Sequence, residues 1–509
     1  MAKNIFNSIQ LKKPKKNFFD LTHDVKLSAN MGELTPILVM EAVPGDKIEL
    51  GCESIIRFAP MTAPVMHRMD VTMHYFFVPN RILWNNWEQF ITNNGPNGTG
   101  PEYVAPYINY TGFEPAFGPY ERFLDYMGVP PNLSGGSVAT RINALPFAAY
   151  QLIYNEYYRD QNLIPDVRAF CVDGDNTDWR SDLLQLRNRA WEHDYFTSSL
   201  PYAQKGAAVD IPLGQIAENA PIYYDQSTPV GTTLTGTPNN VFVPGSNSPT
   251  TSTDLFAATG GLEVEPTTIN DLRRAYRLQE WLEKNARGGT RYIESILSHF
   301  GVKSSDARLQ RPEYITGVKT PVVISEVLNT SGTEGELPQG NMAGHGIAVS
   351  SGKHGTYYAE EHGYIIGIMS VMPKTAYQQG IPKTYLRLDP LDYYWPSFAN
   401  IGEQEVKLAE LYAYTNNQDD TFGYVPRYAE YKYMPSRVAG DFRTSLDYWH
   451  LGRIFGSEPT LSKEFIECTP EETDRIFAVT DPDAQKLYCH VLNKIKAVRP
   501  MPKYGTPTI

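Results

Sequence analysis

Along Met69 to Thr92, MDVTMHYFFVPNRILWNNWEQFIT, the spacing of apolar positions changes halfway. Met69, Val71, Met73, Tyr75 and Phe77 alternate with Asp70, Thr72 and His74. That period of two predicts a strand with one buried face, with Met73, Tyr75 and Phe77 turned inward. Val78-Pro79-Asn80 breaks the alternation. Leu83, Trp87, Phe90 and Ile91 then recur at helical spacing. A long strand therefore runs straight into a short helix, with no glycine-rich turn between them to hold a cofactor.

The same reading extends along the chain. LTPILVMEAVPGDKIEL predicts two strands joined by a turn at Val43-Pro44-Gly45-Asp46, and GCESIIRFAP continues the β pattern. From Asn93 to Gly136, glycine, proline and asparagine recur too often for long regular elements. INALPFAAYQLIYNEYYRDQNL carries Pro146 in a first helical turn and a stripe of Phe147, Tyr150, Tyr154 and Tyr157, which predicts a helix packed on the core. Residues 225–262 are rich in Ser, Thr, Gly, Pro and Asn and contain no Lys or Arg. They are too polar to bury, and composition leaves open a linker or a surface projection. Two helices follow: TINDLRRAYRLQEWLEKNAR, stopped by Gly288-Gly289, and TRYIESILSHFG, stopped by Gly301. TPVVISEVL, HGYIIGIMSVMP and VPRYAEYKYMP return to strand-like text. The order of strands, helix-bearing middle and strands predicts a single mainly β sandwich with enlarged loops, not a string of domains.

Composition sharpens this picture. The 509 residues include 33 Tyr, 38 Pro and 39 Gly, which suits many strands and turns. The longest apolar run, Ile365 to Met372, falls well short of the roughly 20 residues of a membrane span, so no membrane insertion is expected. The opening MAKNIFNSIQLKKPKK has no apolar segment of a secretory leader. Cys52, Cys171, Cys468 and Cys489 are scattered and read as free thiols in a reducing compartment. The net charge of −12 is unevenly distributed. Residues 1–19 hold Lys3, Lys12, Lys13, Lys15 and Lys16 and no acid. Residues 485–509 hold Lys486, Lys494, Lys496, Arg499 and Lys503, again with no acid. An acidic body with two basic ends is read either as solvated tails or as flexible arms that neutralise phosphate without reading sequence.

Catalytic patterns find little support. Gly352-Lys353 sits in a glycine-rich stretch, but Ile347 stands where a phosphate loop has its first glycine and His354 where it has a hydroxyl. His345, His354 and His362 lie in loop-like text without HExxH spacing, so turn or surface positions are expected and no metal or cofactor is assigned. There is no GxSxG elbow. Acidic pairs such as Glu360-Glu361 and Asp419-Asp420 carry little information in a chain with 57 acids. The expectation is a protein that is not an enzyme.

VPNRILWNNWEQFIT, INALPFAAYQLIYNEYYRDQNL, GGTRYIESILSHFGVKSSDARLQRPEYI, PQGNMAGHG, EEHGYIIGIMSVMPKTAYQQGI, VPRYAEYKYMPSRVAGDF and RPMPKYGTP occur in this order and cover nearly the whole chain. Together they resemble the major capsid proteins of microviruses, small tailless single-stranded-DNA bacteriophages, and in particular the gokushovirus-like branch. The resemblance implies an eight-stranded antiparallel jelly roll with large helix- and loop-containing insertions. It also implies a T=1 icosahedral shell of identical copies around a circular single-stranded DNA genome, assembled in the bacterial host cytoplasm and carried in the virion.

The expected organisation is a basic arm over residues 1–30, one capsid domain over 31–505 and a basic arm over 485–509. The capsid domain carries insertions at 80–200 and 268–302. Residues 202–267 are the weakest match, and in that branch an insertion of this kind projects around the three-fold axes. An internal scaffolding protein, a small DNA-binding protein and a DNA pilot protein are implied partners, and contact of residues 225–262 with a host receptor is a further expectation. Lys12, Lys13, Lys15, Lys16, Lys494, Lys496, Arg499 and Lys503 become candidate genome contacts, with Tyr488 or Tyr504 stacking on bases. Trp84 and Trp87 become candidate subunit contacts, with intrachain burial expected more for Trp87 than for Trp84. Two other classes remain open: a secreted carbohydrate-binding or glycoside-hydrolysing β-sandwich, and a nucleic-acid-binding module.

Overall fold

The computed structural model describes residues 15–93, 103–110, 118–131, 140–209, 268–330, 342–352 and 355–504, together with the backbone of five short strands between 222 and 257. The chain divides into two compact units, residues 1–203 with 288–509, and residues 204–287.

The larger unit is mainly β. Its first sheet runs in the order Asn17–Asp20, Leu487–Arg499, Lys47–Phe58, Met342–Ser351, Val323–Leu328. His23–Ala29 also pairs with Leu487–Arg499, and Gly355–Tyr358 with Lys47–Phe58. The second sheet runs Glu313–Pro321, Met69–Pro79, Gly363–Pro373, Thr35–Ala42. All of these pairings are antiparallel. The two sheets enclose one core. Leu50, Ile56, Val491 and Ile495 from the first meet Val71, Met73, Tyr75, Ile365 and Met369 from the second.

Expectation and structure differ in the number of buried faces. Met69–Pro79 alternates as read, with Met69, Val71, Met73, Tyr75 and Phe77 turned into the sandwich. Its other face is buried as well, because Phe76 and Val78 join a second apolar cluster. That cluster also takes Tyr364, Ile366 and Ile368, so every residue of Gly363–Pro373 is buried. This explains the unbroken apolar text from Ile365 to Met372: a strand covered on both sides has no solvent face to mark with polar residues. Gly367 is needed within it, since a Cβ there would come 2.8 Å from the Tyr75 ring.

The covering layer comes from the insertion after Pro79. The helix Leu145–Ile153 starts with Pro146 in its first turn and buries Phe147, Ala148, Ala149, Tyr150 and Ile153. It passes into a π-helical turn, Tyr154–Tyr158. Leu83, Trp84, Phe123, Leu124, Leu183 and Leu184 complete the layer. A third cluster gathers Tyr195, Phe196, Tyr377, Val406, Leu411, Phe422, Val425 and Phe465, mostly from the insertion between Pro373 and Leu487. There, Thr421–Pro426 is a strand, but the following RYAEYKYMP forms a 3-10 turn, Ala429–Tyr431, not the expected continued strand. The turn at Val43–Asp46 forms as read, with Gly45 at φ 90°. Tyr292–Phe300 ends on Gly301 at φ 68°, the left-handed conformation that favours glycine.

The basic C-terminal segment is not an arm over most of its length. Leu487–Arg499 is a 13-residue strand inside the first sheet, paired from Leu487↔Phe58 to Val498↔Lys47. Alternate residues Cys489, Val491, Asn493, Ile495 and Ala497 are buried in the core. On the N-terminal side, Asn17–Asp20 and His23–Ala29 lie along its other edge.

Residues 204–287 form the smaller unit. Ile222–Tyr224 pairs with Thr228–Pro229 and with Leu255–Ala257, and Thr235–Thr237 pairs with Asn240–Phe242. The rest of the polar 225–262 excursion lies outside the described residues. The helix Ile269–Arg287 follows, opened by Thr268 and Asp271 in reciprocal hydrogen bonds and ending before the predicted glycine pair.

One buried polar tie spans the sandwich. Tyr75 Oη donates to Asn493 Oδ1 at 2.9 Å, and Asn493 Nδ2 donates to the Ile37 carbonyl at 2.9 Å. Tyr75→Phe leaves a fully buried acceptor short of its donor and is expected to lower unfolding free energy by about 1–3 kcal/mol, read from denaturant midpoints.

On the outer face of the second sheet, His74 Nδ1 lies 2.8 Å from Tyr158 Oη. Burial lowers its pKa to about 4, and the nearby Arg189 pushes the same way. The folded state therefore refuses a proton that the unfolded chain accepts below its ordinary value near 6.5, so this contribution to stability is lost as pH falls from 6.5 towards 4. His74→Gln is expected to reduce the stability difference between pH 7 and pH 4.5 by on the order of 2 kcal/mol, measured by denaturation at both pH values.

Candidate functional site

The candidate tryptophans settle first, and in the reverse of the expected order. The helical text after Pro79 forms two short pieces, Asn80–Leu83 and Trp87–Ile91, with Trp84 extended between them. Trp84 is only 1% exposed, packs in the covering layer and donates from Nε1 to Asp173 Oδ1 at 2.6 Å. It is intrachain core. Trp87 is half-buried against Trp84, Phe90 and His362. Trp84 offers no surface to a neighbour, whereas Trp87 keeps part of its ring open.

The basic candidates from the two ends are brought together in part. Lys12 and Lys13 lie outside the described residues. Asn17 is opposite Arg499 and Asp20 opposite Lys496, so the N-terminal strand and the end of Leu487–Arg499 share one corner of the first sheet. Lys15 is exposed there. Lys16 donates to the Gly45 carbonyl at 2.7 Å and sits over the Tyr358 ring. Acids already face the others: Lys494 pairs with Glu53, Arg499 with buried Asp46 at 3.3 Å, and Lys496 stands opposite both Glu49 and Asp20. Lys503 lies over the ring of its neighbour Tyr504.

A surface that sequence reading passed over is more prominent. The segment KTYLRLDPLDYYWPSFANI, Lys383 to Ile401, displays Tyr385, Leu388, Leu391, Tyr393, Tyr394, Trp395 and Ile401 to solvent, beside Tyr431 and Met434. Leu388 is 93% exposed and Met434 91%. Soluble single chains rarely show so many large apolar side chains in one place.

The segment is nonetheless firmly built. Asp389 Oδ1 accepts from Leu391 N at 2.8 Å, and Asp392 Oδ2 accepts from Asp389 N at 2.9 Å, closing a 3-10 turn over Pro390–Asp392. These backbone hydrogen bonds, from Asp389 and Leu388, lower the Asp392 pKa. Trp395 Nε1 donates to the Pro390 carbonyl at 2.9 Å. Tyr428 Oη accepts from Trp395 N at 3.2 Å and reaches the Tyr393 carbonyl at 3.3 Å, while Tyr431 Oη accepts from Tyr394 N at 3.2 Å. Tyr428 itself is held at φ 62°, a left-handed conformation costing roughly 1–2 kcal/mol for such a side chain. Beneath it, Arg387 pairs with Glu430 at 3.0 Å, both nearly buried, and the guanidinium lies 4.2 Å from the centre of the Tyr431 ring.

Among the described residues no group of three or more His, Cys, Asp or Glu could hold a metal ion, and no helix is long and apolar enough to cross a membrane. The four cysteines are free and buried, as read. His362 packs on Trp87, and Lys353 and His354 lie outside the described residues.

The chain is thus a mainly β protein with an antiparallel sandwich whose insertions carry an exposed aromatic face. Comparison with known proteins gives that class its family. A family described as "Capsid protein (F protein)" matches residues 7–509, and the chain belongs to it. It is 38% identical to Capsid protein VP1 of Bdellovibrio phage phiMH2K, over 96% of this chain and 94% of that one. It is 34% identical to Capsid protein VP1 of Chlamydia phage 1, over 100% and 98%, and 32% identical to that of Spiroplasma virus 4, over 96% and 94%. The resemblance to microvirus capsid proteins is borne out. The chain is a structural capsid protein of the virion, and the secreted carbohydrate-active alternative finds no support.

Because Trp84 sits inside the chain, Trp84→Ala is expected to cost about 3–5 kcal/mol. It should reduce the yield of soluble chain as much as the yield of particles, measured by fractionating the same lysate.

Proposed function

We propose that copies of this chain close a T=1 icosahedral shell around circular single-stranded DNA, with an eight-stranded antiparallel jelly roll as the wall and the insertions as contact layer. Strand order supports the wall. Setting aside Asn17–Asp20, Val323–Leu328 and Gly355–Tyr358, which add to the first sheet, the strands His23–Ala29, Thr35–Ala42, Lys47–Phe58, Met69–Pro79, Glu313–Pro321, Met342–Ser351, Gly363–Pro373 and Leu487–Arg499 change sheet at every step but one. The exception is Met69–Pro79 to Glu313–Pro321, neighbours in the second sheet, and the first and last of the eight lie side by side in the first sheet. Long connections that wrap strands between two sheets are how this architecture is made.

The observation that carries subunit contact is the rigid, exposed apolar run from Tyr385 to Ile401. Its partner in this reading is another copy of the chain, since a closed shell repeats heterologous and isologous contacts by symmetry. The work is structural and needs no turnover. An internal scaffolding protein, a small basic DNA-binding protein and a DNA pilot protein belong to the same reading. The excursion within 202–267, by its polar composition, is the surface offered to a host receptor.

Electron microscopy and sedimentation of the purified chain test the proposal: uniform hollow particles are expected, and a chain that stays monomeric under all assembly conditions overturns it. Leu388→Asp combined with Met434→Asp is expected to reduce particle yield at least tenfold while leaving the monomer's melting temperature within a degree or so, because both side chains are more than nine-tenths exposed and exposed substitutions change monomer stability by only about 0.5 kcal/mol.

A further inference from the structure

The outer face of the first sheet holds a groove of about 760 Å3 between the strands and the short helix Glu121–Tyr126. Its floor is set by register. Tyr488 stands opposite Arg57, His490 opposite Ile55, and Lys26 opposite His490 on the neighbouring strand. Tyr488 is 48% exposed and Ile55 nearly as much, so an aromatic and an aliphatic side chain lie open between cations. Arg122 contributes from the helix side, paired with Glu33 at 3.5 Å, and His490 is paired with Asp24 at 3.1 Å. The side chains of Lys26 and Arg57 have no ion-pair or hydrogen-bond partner among the described residues. Asp125 is the one acid among the described residues of the lining. In a chain of net charge −12, the lining itself sets Lys26, Arg57 and Arg122 against that one acid.

We propose that this groove binds single-stranded DNA, with Lys26, Arg57 and Arg122 on phosphates and a base stacked on Tyr488. This deepens the reading of a shell that encloses single-stranded DNA and rests on it. The site differs from the corner first expected. Lys494, Lys496 and Arg499 face acids, whereas Lys26 and Arg57 are free to exchange counterions for phosphate. An open tyrosine beside free cations is the combination that suits unpaired bases, because every base has a face to stack and the backbone needs only charge.

The test uses unassembled full-length chain and fluorescent oligo-dT of 20 nucleotides, titrated over a range of salt. Tyr488→Ala is expected to weaken binding about tenfold and leave the salt dependence unchanged. Lys26→Gln with Arg57→Gln is expected to reduce the slope of log affinity against log salt by about 1.4, near 0.7 for each phosphate no longer neutralised. Lys494→Gln with Lys496→Gln should leave both unchanged. Melting curves confirm that each variant is folded; these side chains are exposed or half-exposed, so folding is expected to survive. If the parent chain binds dT but the folded groove variants bind equally well, the groove is overturned while the genome-enclosing reading stands. If the parent does not bind dT at all, that reading fails with it. A weakening with the cation pair and none with Tyr488→Ala overturns single-strand recognition in favour of a general polyanion or an acidic protein segment.

Discussion

The two central strands of the second sheet are covered on both faces, and much of the molecule follows from that. Gly363–Pro373 is buried along its whole length, and Met69–Pro79 sends alternate side chains into two separate clusters. A sheet of this kind cannot stand at a protein surface, since each fully exposed Val, Leu, Ile, Phe or Met side chain forgoes about 1.5–3 kcal/mol of burial. The first sheet covers one face. The other needs a layer, and the chain builds it from the residues after Pro79, with the helix Leu145–Ile153 and Trp84 at its centre. The enlarged loops are therefore part of the wall before they are anything else. Exposed apolar surface begins only outside that layer, as it does at Tyr385–Ile401.

The first sheet is under the opposite constraint. Along Leu487–Arg499 and Lys47–Phe58 buried and exposed residues alternate almost without exception, so one face is polar enough to meet water or a charged partner. The segregation of charge visible in the sequence changes meaning here. Lysines that look like a tail are strand residues, Lys496 directly across from Glu49 and Asp20 and Lys494 paired with Glu53. Charge that is concentrated along the chain is largely neutralised across the sheet, and the free cations end up at its other end, on Lys26 and Arg57.

Period-two and period-3.6 patterns made most of the elements legible: the strand from Met69, the Val43–Asp46 turn, the helices ending at Arg287 and Phe300, and the sandwich itself. Three things were not legible, for separate reasons. The second buried face of Met69–Pro79 was missed because Asp70, Thr72 and His74 look solvent-facing, yet Thr72 and His74 are covered by Arg189 and Tyr158 from a distant segment. The strand Leu487–Arg499 alternates clearly, but its lysines drew the reading towards a flexible arm. The contact face at Lys383–Ile401 has no period at all. Its only signal is a crowding of Tyr, Trp and Leu among Pro and Asp, and turn chemistry such as DPLD gives no hint that the rings point outward.

The contact role we propose for that face accounts for the strain and the buried ion pair kept at its surface. Each contact with a neighbour must overcome the cost of ordering its side chains, about 0.5–1.5 kcal/mol for each flexible one. A mobile loop would meet that cost at every contact around the shell. Tyr428 in its left-handed conformation, Arg387 and Glu430 beneath it, and the capped Pro390–Asp392 turn meet it once, during folding of the chain. Tyr and Trp add little further, having only two side-chain torsions each. Stiffness in the unassembled chain thus allows individually weak contacts to suffice, and weak contacts let a misplaced copy leave before symmetry closes around it.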